Sequence, residues 1–318
     1  MFTLDAHTRD AAGAFFVNEL ERLDPKLYMP LVDITWSRDI RLRTDVTVAD
    51  EASSYIMSTF GTVGGLKPTG KNWLAPETTA IPGIRVNGSK LTAPLRPWAL
   101  ELAYDVIELA RSQKLNRPLD VQQFNGLNLK YQMDVDEQVY IGDPELEAYG
   151  LLNSPRVTAI SAGAKAAGGT AWSNATPDEI LADVDALLTA SWSASGYAVC
   201  PSKLLLPPVQ FAQAVSKKVS EAGNVSVLKY IRENSIANEK NGRPLDIQPV
   251  KWAAGAGAGG LNRAMAYTDE EDRVRFPLVP IIRSNPYYAG LRWASVYYAI
   301  LGEVEFVYPE TVMYMDGM

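Results

Sequence analysis

An acidic pair, two acidic clusters and a glycine tract are the features of this sequence whose residue types could do chemistry. Glu303 and Glu305 stand two apart in a stretch that reads as a strand, so both are expected on one face. A carboxylate pair can act as general acid and base or hydrolyse a glycoside, but that needs carboxyls about 5–10 Å apart across a cleft. Neighbours along one strand face are expected simply to be solvated. Asp134, Asp136 and Glu137 fall in a helical stretch and are expected to solvate its outer side. Asp269-Glu270-Glu271-Asp272 offers oxygen ligands for a hard cation, without the glycine-punctuated spacing of a calcium loop. A solvated turn between strands is the expectation there. The glycine tract at 253–260 lacks the Lys-Ser/Thr ending of a phosphate loop and a strand–loop–helix setting, so it reads as a mobile surface loop.

The nucleophile and metal inventory is thin. His7 is the single histidine and Cys200 the single cysteine among 318 residues. That rules against a Ser-His-Asp triad, a Cys-His protease, a cysteine metal cluster and an internal disulfide. Cys200 is expected as a small apolar core residue and His7 as a solvated side chain. No catalytic, cofactor or metal site is expected. Net charge is −7, and after Arg292 four acidic residues follow with no basic one. A chain so charged has no basic arm to neutralise phosphates, which argues against sequence-specific nucleic-acid binding and fits a container built first and filled later. No apolar run of about 18 residues spans a membrane, and the N-terminus does not read as a secretory signal.

The elements follow from periodicity and punctuation. A short amphipathic helix is predicted over 9–23, with Phe16, Leu20 and Leu23 on one face and Pro25 after it; 26–45 reads as extended. Seventeen of the fifty residues at 46–95 are Gly, Pro or Thr, which disfavours helix. Asn87-Gly88 between apolar runs predicts a hairpin turn, and the tip of the excursion is expected around 61–73. Its large apolar residues argue for an extended β-hairpin that orders on a neighbour rather than for a floppy loop. Helices are then predicted at 98–112 and at 118–141, the second about 35 Å long with Val121, Phe124, Tyr131, Val135 and Val139 along one side. Thr176-Pro177-Asp178-Glu179 is a capping box with proline at the first helical position, opening a helix through Trp192. A buried strand at 197–200, helices from Pro207-Pro208 and over 225–234, and strands at 245–252, 263–267, 273–279 and from 291 onward complete an α+β order.

Three stretches carry a family resemblance: 104–157, with its Val139-Tyr140-Ile141-Gly142-Asp143 helix end and Tyr149-Gly150-Leu151-Leu152-Asn153-Ser154-Pro155 junction; Tyr197 to Pro201 with the Leu-Pro-Pro helix; and Gly302 to Pro309. Together they resemble the tailed-phage major capsid proteins with the Hong Kong 97 fold, over roughly 95–318. The resemblance implies an N-terminal arm at 1–45, an extended loop at 46–95 over the next subunit, and a peripheral domain at 96–160 built on the long spine helix. It implies an axial domain at 161–280 and C-terminal strands at 281–318 returning to the peripheral domain. It further implies self-association into hexamers and pentamers, a portal protein as partner, room for separate scaffolding and decoration proteins, and location in the virion after assembly in the host bacterial cytoplasm. Because the chain opens directly on the arm, scaffolding is expected from another protein, from none, or from a segment already cleaved. Some relatives cross-link through a lysine; Lys67, Lys71 and Lys90 lie in the loop without a motif that selects one, and no cross-link is expected. Phe15, Phe16, Trp36, Phe60 and Trp73 are the expected inter-subunit anchors. The alternatives are an encapsulin-like compartment shell around protein cargo, a carboxylate-pair hydrolase, and an adhesin-like binding module.

Overall fold

The computed structural model describes residues 30–63, 83–108, 119–220 and 224–318. In chain order the elements are α1 (Trp36–Asp39), β1 (Arg41–Arg43), β2 (Ala52–Val63), β3 (Gly83–Pro94), β4 (Arg96–Asp105), α2 (Leu119–Tyr140), β5 (Gly142–Asp143), β6 (Ala148–Tyr149), β7 (Thr158–Ser161), α3 (Pro177–Ala194), β8 (Lys203–Leu206) and α4 (Pro208–Ser216). They continue with β9 (Lys218–Ser220), β10 (Val225–Ser226), α5 (Val227–Asn234), α6 (Ile236–Asn241), β11 (Asp246–Pro249), β12 (Arg263–Tyr267), β13 (Val274–Arg283), β14 (Tyr287–Ala289), β15 (Arg292–Leu301), β16 (Glu305–Phe306) and β17 (Met313–Asp316). This is the expected α+β mixture.

The strands β8, β12 and β17 explain why their sequences are almost wholly apolar. They lie in a five-stranded sheet of order β11-β8-β12-β17-β7. Successive side chains point to opposite faces, and here both faces are buried. Leu205, Met265, Tyr267 and Tyr314 join one core with α2. Leu204, Leu206, Ala264, Ala266, Met313 and Met315 join a second core with α3 to α6. One sheet is thus the shared wall of two cores. A six-stranded sheet carries β1, β4, β13, β14, β15 and β16. The C-terminal strand β17 therefore sits beside β7 and β12, while β15 and β16 pair with β13.

Helix α3 starts as its sequence demands. The Thr176 hydroxyl accepts from the Glu179 N–H at 3.3 Å and the Glu179 carboxylate accepts from the Thr176 N–H at 2.7 Å. Ile180, Val184, Leu187, Leu188 and Ser191 form its buried stripe. Helix α2 has 22 residues, about 33 Å at 1.5 Å per residue. Tyr131, Val135 and Val139 are buried as expected, but Val121 and Phe124 are exposed, Phe124 with its ring 5.8 Å from that of Tyr297.

The junction after α2 has a local reason. The last carbonyls of a helix lack intrahelical partners. Here Leu151 N–H donates to the Val139 carbonyl at 2.7 Å, Leu152 N–H to that of Tyr140 at 3.0 Å, and the Asn153 amide to that of Ile141 at 2.5 Å. Asn153 also accepts from the Gly150 N–H. Gly150 is glycine because a Cβ there would lie 2.4 Å from the Tyr140 carbonyl carbon. Gly-Leu-Leu-Asn is a remote C-cap.

Several expectations fail. The helix expected from residue 98 is not there: β4 runs to Asp105 and pairs with β15 over ten residues, and among the described residues helix begins only at Val106. Trp98, Leu100, Leu102 and Tyr104 alternate, and the ladder wins over helical propensity. Asn87-Gly88 is no turn; both lie inside β3, opposite Thr59 and Ser58. A Cβ on Gly88 would stand 3.3 Å from the Ile56 methyl, so glycine there admits Ile56. Residues 197–200 are not a buried strand: they follow a turn at 195–197 with Tyr197 at φ 64°, although Cys200 is buried in the second core. One helical turn, α1, interrupts the segment expected to be extended. The predicted helix over 9–23 lies outside the described residues.

Candidate assembly interface

The β2–β3 hairpin is bonded to the rest of its chain at its root and open to solvent beyond it. Its strands pair from Ala52↔Pro94 to Val63↔Gly83, a ribbon of about 40 Å at 3.3–3.4 Å per residue. In this register Ile56 pairs with Lys90 and Phe60 with Val86, and the backbone of residue 62 pairs with Ile84. Directly opposed residues share a face. One face therefore carries Ile56, Phe60, Val86 and Ile84, which are 73%, 68%, 58% and 69% exposed. The other carries Tyr55, Met57, Thr59, Arg85, Asn87 and Ser89. The strands join no other sheet among the described residues.

Of the expected anchors, Phe60 stands on this apolar face. Trp36 is buried in its own chain, packed in the α2 core, with its indole N–H donating to Gln132 at 2.9 Å. Phe15, Phe16 and Trp73 lie outside the described residues, as do His7, Lys67 and Lys71. Lys90 is at the edge of the apolar face. Ile56, Ile84 and Val86 were missed, although Ile56/Phe60 and Ile84/Val86 already carry the period of one strand face.

The candidate catalytic carboxylates do other work. Glu305 is 2% exposed. It bonds Arg275 Nε at 2.7 Å, lies 3.5 Å from Arg43, and accepts from the Ser53 hydroxyl. It is neither solvated nor open to a substrate. Glu303 is outside β15 and β16; burial, eased by Arg96 and Arg156, holds its pKa above the usual glutamate value. Asp136 does not solvate an outer helix face. It is wholly buried and accepts from the Thr35 and Trp36 N–H groups at 2.9 and 3.0 Å and from the Trp252 indole at 2.7 Å. Asp134 accepts from the Trp98 indole and Lys130.

Asp269 pairs with Arg41 and approaches Lys203 rather than standing in water. The tract at 253–260 is a largely exposed connection between β11 and β12, tied to the body where Ala253 is buried and where Ala258 N–H donates to Asp316 at 3.1 Å. No group of three or more His, Cys, Asp or Glu among the described residues could hold a metal ion. No helix among them is long and apolar enough to cross a membrane.

Comparison with known proteins agrees with this geometry. The capsid of Myoviridae phage XM1 matches with a TM-score of 0.77 at 17% identity, over 95% of this chain and 98% of that one. The capsid of a native GTA particle matches at 0.56 and 15%, over 92% and 99%. A virus-like particle from Pyrococcus furiosus matches at 0.52 and 11%, over 88% and 91%. No curated protein matches in sequence. These likenesses show the Hong Kong 97-like fold. A family model described as major capsid protein matches residues 70–318. With that match over most of its length, and with a long apolar-faced hairpin projecting from a two-core body, the chain belongs to the major capsid protein family.

Proposed function

We propose that the chain is the repeating unit of a tailed-phage head, an icosahedral shell that closes around packaged double-stranded DNA. The observation that carries this reading is the hairpin. Two twelve-residue strands stand outside the body with four large apolar side chains on one face. A two-stranded ribbon is marginal in water by itself, and such a face is poorly solvated. A second copy of the chain supplies the missing surface, because every subunit of a shell has one beside it.

Phe60, with Ile56, Ile84 and Val86, is the proposed anchor set; Phe15, Phe16 and Trp73 remain proposed contacts. Cyclic contacts build hexamers and pentamers, a portal protein takes one vertex, and the shell leaves room for separate scaffolding and decoration proteins. Assembly takes place in the host bacterial cytoplasm. The segments 1–45, 46–95, 96–160, 161–280 and 281–318 serve as arm, extended loop, peripheral domain, axial domain and returning strands. The chain has no catalytic role. Net charge −7 supports filling by a motor, since a lining that gripped phosphates would resist the sliding of DNA. The higher similarity to the capsid of phage XM1 than to the virus-like particle from Pyrococcus furiosus supports a phage head.

Deleting residues 61–75 tests the reading. The expected product is a folded subunit that forms no closed particles in negative-stain images. Normal shells from the deletion would overturn it.

A further inference from the structure

We propose that the cluster around Glu305 is a lock that fixes the angle at which the hairpin leaves the body. The lock is a property of the single chain; its use in shell geometry rests on the hairpin being the bridging arm.

The bonds converge from three directions. From the body, Arg275 on β13 donates through Nε to Glu305 at 2.7 Å, and Arg43 on β1 lies 3.5 Å from the same carboxylate. Arg43 is itself held by Asp45 at 2.6 and 3.0 Å. From the hairpin root, the Ser53 hydroxyl donates to Glu305. Arg43 also donates to the Ser53 hydroxyl at 2.8 Å and to the Ser54 carbonyl at 3.2 Å. Tyr55 closes the set. Its hydroxyl donates to the Phe306 carbonyl at 3.0 Å and accepts from Arg156 at 3.1 Å, and its ring lies under the Arg275 guanidinium at 5.9 Å.

A buried ion pair that served only the body would not spend its bonds on three consecutive hairpin residues. Ser53 is 2% exposed, yet Ile56, Ser58, Thr59 and Phe60 are all open to solvent. The transition from held to free occurs over three residues. On the β3 side, Ala93 and Leu95 supply apolar contact, and Leu95 N–H donates to the Glu51 carbonyl. Apolar contact permits rotation, whereas charge-assisted bonds to a guanidinium fork fix direction. The polar cluster therefore sets the angle, and the apolar contact only holds the root in place.

Distance measurement by paired spin labels tests this in the full chain. Cys200 is buried, so labels go to Ser58→Cys on the hairpin and Ser193→Cys on α3. A control pair, Asn128→Cys with Ser193→Cys, reads the body alone. Labelled copies are diluted into excess unlabelled chain so that distances within one copy are read. Glu305→Gln is the direct variant. Ser53→Ala with Tyr55→Phe removes the hairpin's side-chain bonds, keeps the Arg43 bond to the Ser54 carbonyl and leaves Glu305 with both arginines, so it keeps the test valid if Glu305→Gln does not fold.

The expected result is a hairpin-to-body distribution at least about twofold broader in the double variant, with the control pair unchanged. Such local loosening is the scale expected when two or three charge-assisted bonds are lost. An unchanged hairpin distribution overturns the lock. A control pair that broadens equally also overturns it, since the cluster would then be general core structure. Particles of the double variant are expected to vary in diameter. Uniform, normal particles despite a broadened hairpin would overturn the role in shell geometry while leaving the lock.

Discussion

Replacing Asp136 by alanine should detach the segment that leads into β1 from α2. The carboxylate is wholly buried and accepts three N–H groups: those of Thr35, Trp36 and the Trp252 indole, at 2.9, 3.0 and 2.7 Å. Alanine leaves all three donors without an acceptor. A buried donor stranded in this way costs about 1–3 kcal/mol. Thr35 and Trp252 are only partly buried, so water can recover part of their loss, and the sum is about 3–6 kcal/mol. Lys251, 3.3 Å from the carboxylate, is 36% exposed and adds little. Asp136→Asn is the informative companion. Its carbonyl oxygen can keep Thr35 and Trp36, but its amide then meets the Trp252 indole donor to donor. About half the loss is expected, about 2 kcal/mol. Urea titration of the unassembled subunit, followed by tryptophan fluorescence, reports directly because Trp36 and Trp252 flank the site. A loss below about 1 kcal/mol for Asp136→Ala would refute the reasoning, and so would Asn and Ala variants of equal stability.

Replacing Ile56 and Phe60 together by serine should leave the denaturation midpoint of the subunit unchanged, because both are exposed in the single chain, yet abolish closed particles; truncated aromatic anchors cost about 2 kcal/mol or more at each repeated contact. Gly150→Ala should cost more than about 3 kcal/mol or prevent folding, since its methyl would sit 2.4–2.6 Å from the Tyr140–Ile141 peptide with no side chain to yield; soluble yield and urea midpoint measure it. Cys200 should resist thiol reagents until the chain is unfolded, because burial both blocks access and pushes its thiol pKa up, which lowers the thiolate fraction at pH 8.

Local rules made part of this fold legible. The capping box at Thr176 and the strand at 263–267 were written in consecutive residues, and the structure has both. The hairpin was legible as an excursion, because its composition excludes helix. Its register was not: Asn87-Gly88 has the chemistry of a turn, and only the pairing of β2 shows Gly88 making room for Ile56. Strand β4 was misread for a related reason. Leu100, Tyr104 and Ile107 satisfy a helical spacing, and the partner that turns Trp98 to Tyr104 into a strand face is β15, nearly two hundred residues away. The carboxylates were the least legible. Asp136 and Glu305 look like surface charge until the N–H groups and guanidiniums that enclose them arrive from distant segments. No spacing rule encodes a bond between residues 43 and 305 or between 36 and 136.

Those buried carboxylates share a position in the molecule. Asp136 and Asp39 hold the segment 35–40 against α2 and β8: Asp136 through the Thr35 and Trp36 amides, Asp39 through Tyr140 and Lys203. Glu305 holds the next exit, where the chain leaves for the hairpin. The two apolar cores account for the folding of the body, since burial is cheap in sequence terms and indifferent to direction. Buried ion pairs add little net stability, because desolvation offsets most of the attraction. Their cost is tolerated where direction matters, since a half-satisfied network is far worse than a complete one and so admits one geometry. A subunit repeated around a closed shell has that need at the points where its extensions depart. An error in departure angle is copied into every contact, and a shell closes only if the copies agree.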